Sequence, residues 1–171
     1  MDIEQDLTIR NFKIARNLSH GKYKLSEIFT GLEESPAIVG LCGGEREVNK
    51  LRNLDVEITD DVKYMRVRDT DGRLLIGPKY LRRGRKEFIY LDLIHELTHV
   101  KQLRQGHDIY NPRYNYVERP TELEAFANAV AEARRIRLSD VEIYEYLRVD
   151  WISELELEEL AKKLDVTSPQ K

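Results

Sequence analysis

The hydrophobic pattern of this chain changes period twice, from helical spacing to strict alternation and back. Ile3, Leu7, Ile14 and Leu18 fall on one helical face, with Ile9 and Phe12 on another side, and predict a helix over residues 2–19. A second, short helix is expected from Lys24 to Leu32. Pro36 suits a helix start, Gly43–Gly44 interrupts, and a helix resumes from about Glu45 to Leu54. Alternation then takes over. Met65 and Val67 before an Asp71-Gly72 turn, with Leu74 and Ile76 after it, read as a β-hairpin, and Val56 and Ile58 as a third strand. Helical spacing returns in "KEFIYLDLIHELTHVKQLRQG", which closes on Arg104 and Gly106, the charge and the residue that suit a helix C-terminus. After the loop "HDIYNPRYNYVER", Pro120 opens "PTELEAFANAVAEARRIRL". "SDVE", Ser139 to Glu142, has the form of a capping box, and a last helix runs from about Ile152 to Leu164. This order predicts an α+β fold in which a small antiparallel sheet covers one long helix and the remainder is mostly helical. One domain is expected over 1–171: an N-terminal helical part (1–54), a core (55–138) and C-terminal helices (139–171).

Composition narrows the setting. With 171 residues, 41% hydrophobic and 35% charged, the chain has enough apolar surface for a core. A net charge of −3 gives no global attraction to nucleic acid. Cys42 is the one cysteine, which excludes an intramolecular disulfide. It reads as a buried apolar residue rather than a thiolate that blocks a metal. "MDIEQDLTIR" lacks the basic start and apolar core of a signal peptide, and no apolar run approaches the ~20 residues of a membrane span, so the expected location is cytoplasmic and no membrane partner is expected.

The candidate chemistry lies in "LIHELTHVKQL". His95 and His99, at i and i+4, share a helical face and can direct two ring nitrogens to one point. Glu96 lies about 100° around the helix, where its carboxylate reaches a water beside the metal without ligating. Chance alone yields one H-E-x-x-H in roughly 1% of chains with this His and Glu usage. The other plain reading is a packed helix with satisfied histidines. Against it, Leu93, Ile94, Leu97 and Val100 bury the motif, and two histidines and a glutamate buried together require a partner.

One Zn2+ per chain is that partner, and a hydrolytic site needs a third protein ligand. Glu122 shares its face with Ala125, Phe126, Ala129, Val130 and Ala133, the inward side of its helix. Glu124 shares its face with Asn128, Ala131 and Arg135, which is more solvent-like. His107 is the rival ligand, reachable only if the turn at Gly106 folds back sharply. His20, beside Gly21, reads as a capping or surface residue.

His95-Glu96-x-x-His99, followed by Glu122 in "ERPTELEAFANA", resembles the gluzincin zinc metallopeptidases. The small minigluzincins and the repressor-cleaving ImmA/IrrE-type proteins share this order. The resemblance covers roughly residues 60–135. It implies that the hairpin at 62–78 offers a sheet edge where substrate adds as an extended strand. Many gluzincins also carry Asp or Asn four residues after the ligand glutamate to orient a histidine. Phe126 stands there, so Asp92, one turn before His95, is the substitute considered, with Glu124 as a further supporting residue.

The expected activity is hydrolysis of peptide bonds in a peptide or protein through a metal-activated water, with Glu96 as general base. Tyr110, Tyr114, Tyr116 and His107 are candidate oxyanion donors. "KYLRRGRK" concentrates Lys79, Arg82, Arg83, Arg85 and Lys86. Such a run is usually a solvated turn. Its sharper reading is a nucleic-acid contact, as in a SprT-like DNA-associated protease with His107 as third ligand. The competing class is a catalytically silent zinc-binding regulatory or interaction module, with the metal site closed by a fourth ligand.

Overall fold

In the computed structural model, which describes residues 6–169, a helix buried on all sides organises the fold. From Ile89 to Val100 every residue of α6 (Lys86–Arg104) except Asp92 is buried. A helix apolar all round has to be surrounded. α7 (Pro120–Arg135), with Pro120 in its first turn, packs along one side, α3 (Pro36–Cys42) along another, and a sheet along a third. Cys42 ends α3 half-buried, and burial pushes its thiol pKa up.

The sheet contains β2 (Gly21–Lys24), β4 (Asp55–Ile58), β5 (Met65–Val67) and β6 (Leu74–Ile76), in the order β2-β4-β6-β5. The expected hairpin is β5–β6, with Met65 opposite Ile76 and Val67 opposite Leu74. β4 pairs parallel to β6, and β2 pairs antiparallel to β4, so this sheet is mixed rather than wholly antiparallel. β5 is an edge strand and lies against α6.

The N-terminal part departs from the helical expectation. Ile3 lies outside the described residues. Beyond it, α1 spans only Leu7–Asn11, capped by Asp6, and β1 (Lys13–Ile14) pairs with β3 (Phe29–Thr30). The Lys24–Leu32 helix shrinks to one turn, α2 (Leu25–Ile28). Ile9, Phe12, Leu25, Ile28 and Phe29 are all buried, so packing between two distant segments overrides the local helical spacing. Gly31 fixes the crossing: its φ is 81°, and a Cβ there would come within 2.4 Å of the Asn11 carbonyl oxygen.

Elsewhere α4 (Glu45–Leu51), α8 (Asp140–Leu147) and α9 (Glu154–Lys163) fall where expected, α8 and α9 each with a capping box. The basic run is not a plain turn. Most of it forms α5 (Pro78–Arg83); the Leu81 carbonyl in its last turn and the Gly84 carbonyl just after it accept from Arg16, while Arg85 pairs with Glu87 and Glu142. In the core, the Ser35 hydroxyl meets the Tyr90 hydroxyl, which donates to Glu132, itself paired with Arg135, so this buried polar chain is satisfied. Among the described residues no helix is long and apolar enough to cross a membrane.

Candidate metal centre

α6 and α7 bring three side-chain atoms to one point. His95 Nε2 lies 3.1 Å from Glu122 Oε2 and 3.1 Å from His99 Nε2, and His99 Nε2 lies 3.4 Å from Glu122 Oε2. All three residues are buried, and together they form a group that could hold a metal ion. A tetrahedral ion with bonds of about 2.0–2.1 Å sets its ligand atoms roughly 3.3–3.4 Å apart. The observed triangle matches one face of such a tetrahedron, so donor chemistry and spacing both fit zinc.

The imidazoles are oriented unequally. His99 Nδ1 lies 2.8 Å from Gln102 Oε1, while the Gln102 amide NH2 donates to the Thr121 carbonyl and to Glu124 Oε2. Two acceptors on its nitrogen leave the Gln102 oxygen facing His99. This fixes the Nδ1 proton of His99, so that on metal binding Nε2 is the nitrogen that would give up its proton and offer a lone pair to the cluster. His95 has no such support. Its Nδ1 is buried without a hydrogen-bond partner, and the Phe126 ring packs edge-on 4.4 Å from the imidazole. Asp92 does not substitute there, because it accepts from the Tyr80 hydroxyl instead.

Burial alone would raise the pKa of Glu122. Hydrogen bonds from the two histidines outweigh it and hold this carboxyl well below the usual range. Burial holds the His95 pKa down. Burial would also lower that of His99, but Glu122 and Glu96 push it up to about 9. Arg119, three residues before Glu122, places Nη1 3.5 Å from Glu122 Oε1.

Glu96 stays outside the triangle. Its Oε2 accepts from the Val67 N–H of β5 at 2.8 Å, and Oε1 has no hydrogen-bond partner among the described residues. Burial pushes its pKa up to about 8, with the His99 charge working against that rise. The Val67 carbonyl accepts from the Tyr110 hydroxyl, and Arg66 stacks 4.3 Å over the Tyr110 ring. At Val67 the outward edge of β5 is thus already engaged, while Met65 and Arg66 of this strand line the cavity.

The cavity has a volume of about 710 Å³ and exposes His95, Glu96, His99 and Glu122 in its wall. Tyr110 and Tyr116 also line it. Tyr114 and His107 do not: both are exposed, and His107 lies outside the metal-binding group. Two contributors escaped the sequence reading. Gln102 sits three residues after His99 on the same helical face, a spacing that was the available signal. Arg119 had a similar i,i+3 relation to Glu122, masked by the proline between them.

Gln102→Leu is expected to weaken any metal binding at this group, assayed with zinc, about 10–100-fold with the fold intact, because His99 loses the acceptor that fixes its tautomer. Competition against a chromophoric chelator measures this, and unchanged affinity would remove Gln102 from the site. Compared with family models, curated proteins and solved structures, the chain matches none.

Proposed function

We propose that this protein is a zinc-dependent peptidase of gluzincin type, with His95, His99 and Glu122 holding one zinc ion and Glu96 acting as general base. The observation that carries the reading is the 3.1, 3.1 and 3.4 Å triangle of donor atoms with an unligated carboxylate on the next residue of the same helix. Among the described residues the group has three members, so a four-coordinate ion held by them would keep a position open to a reactant.

Zinc, when bound, supplies Lewis acidity to a water and to the scissile carbonyl oxygen. The remaining work falls to the chain. Val67 N–H holds Glu96 by Oε2, so that Oε1 can accept the proton of the attacking water and return it to the leaving amine. Burial, which raises the Glu96 pKa, suits a carboxyl that must return a proton as well as take one. The Tyr110 hydroxyl, parked on the Val67 carbonyl, and the Tyr116 ring are the tyrosines placed to assist the oxyanion. Arg119 lines the same cavity, and its buried Nε–H has no hydrogen-bond partner among the described residues. At Met65 the β5 edge offers backbone groups to an extended peptide. Zinc-loaded protein incubated with a peptide library and an unfolded protein tests this reading. Cleavage that a chelator stops and zinc restores supports it, and no cleavage by protein holding one zinc contradicts it.

A further inference from the structure

We infer that the aromatic end of the cavity, with the Asp92 carboxyl set into it, is a subsite for a basic side chain, lysine or arginine, of the bound peptide. This rests on the peptidase reading for its place next to the cleaved bond, since Asp92 lies one turn before His95, about 4.5 Å along the helix axis. A chain of ring contacts encloses that end. Tyr80, Tyr64, Trp151, Tyr116, Phe126 and Tyr146 follow one another with centroids 5.4–6.4 Å apart. Asp92 lines the same space.

Two polar groups there are left short of partners. Asp92 accepts from the Tyr80 hydroxyl but forms no ion pair among the described residues. Tyr146 is 6% exposed, and its hydroxyl, on the cavity wall, meets no partner at full hydrogen-bond geometry but faces the Asp92 carboxyl and helps to hold its pKa down, which leaves the phenol oxygen free to accept. The cations lining the cavity are engaged elsewhere: Lys63 with Asp150, Arg148 with Glu154, Arg119 with Glu122, and Arg66 on the Tyr110 ring. An unpaired carboxyl in such a place is costly, which is reflected in a pKa that burial raises to about 6. Asp92 is nevertheless the one residue between Ile89 and Val100 that is not buried, so the cavity gives access to it.

An apolar guest would fill the rings and leave that carboxylate desolvated without a counter-charge. An ammonium or guanidinium supplies the charge, offers a donor to the Tyr146 oxygen and gains from the tyrosine and tryptophan faces. The pocket therefore favours a cation over an apolar isostere through what the isostere leaves unpaired.

The test uses zinc-loaded Glu96→Gln protein, which binds without turning over. Nα-acetyl-arginine amide and Nα-acetyl-lysine amide are titrated against Nα-acetyl-norleucine amide. Fluorescence of Trp151, the only tryptophan, reports occupancy. The basic compounds should bind at least about tenfold more tightly than norleucine. Adding Asp92→Asn should bring the three within about threefold while zinc content stays at one per chain, and adding Tyr146→Phe should weaken only the basic compounds. Equal binding, or no binding of the basic compounds, overturns the inference. If Asp92→Asn does not fold, the comparison of arginine with norleucine decides alone. The two readings fail separately. Basic compounds that bind through Asp92 to a protein whose wild type cleaves nothing leave the subsite and remove the peptidase. Cleavage without preference for a basic residue beside the cut removes the subsite and leaves the peptidase.

Discussion

On the proposed peptidase reading, Glu96→Gln is expected to abolish peptide hydrolysis, by about 10³-fold or more, with zinc content staying at one per chain. Glutamine keeps the size of the side chain, and its carbonyl oxygen can still accept the Val67 N–H that holds Glu96 at 2.8 Å. It cannot take a proton. Because Glu96 lies outside the His95–His99–Glu122 triangle, its replacement is not expected to release a metal held there. The same substitution has an opposite effect on metal-free stability. Folding raises the Glu96 pKa to about 8, so the folded state resists its ionisation. The penalty is absent at pH 4, below the unfolded value, grows as pH rises and is complete above about 8. Metal-free Glu96→Gln should therefore melt on the order of 2–5 °C above wild type at pH 8 and level with it at pH 4. Peptide cleavage, zinc analysis and chelator-treated melts on the two proteins check all three points. Retained hydrolysis would remove Glu96 from the chemistry, and loss of zinc would place it among the ligands.

Glu122→Gln has the largest effect on the metal itself. Apparent zinc free energies of ~10–16 kcal/mol, shared over the ligands of a site, amount to ~3–4 kcal/mol each, so replacing a carboxylate by a weakly donating amide should lower affinity about 10²–10³-fold. The variant also leaves the Arg119 guanidinium, 3.5 Å away, without its anion. Competition with a chromophoric chelator should show this loss, and activity at limiting zinc should fall with it. Glu124→Gln is the control. Glu124 is exposed and touches the site only through the Gln102 amide, so its effect should be several-fold at most. Equal losses at both positions would assign the third ligand wrongly.

The buried His95–His99–Glu122 group was more legible in the sequence than the N-terminal part of the fold. His95 and His99 share a face by helix geometry alone, and the face of Glu122 was marked by Ala125, Phe126, Ala129, Val130 and Ala133, all of which are buried. Those signals are local, and local periodicity survives folding in helices as buried as α6 and α7. The N-terminal part had a similar signal in Leu7, Ile14 and Leu18, yet the chain leaves the helix at Phe12 to pair with Phe29–Thr30. β2, "GKYK", carries no apolar alternation to read, because it alternates only between half-buried and exposed positions. The parallel pairing of β4 with β6 is set by strand order, which no local spacing encodes. Asp92 gave the least away: beside the motif it resembled a support for His95, and only the arrival of Tyr80 and Tyr146 from other helices shows that it faces a cavity.

In the proposed centre, His95, His99 and Glu122 hold one zinc ion with a position left for a reactant. Zinc K-edge X-ray absorption on the zinc-loaded protein tests it most directly. The expected result is one tightly held zinc with nitrogen and oxygen neighbours at about 2.0–2.1 Å, imidazole scattering from two histidines, and a spectrum that changes when a small hydroxamate is added. A sulfur neighbour at about 2.3 Å, or a spectrum that persists unchanged in His99→Ala, would contradict it.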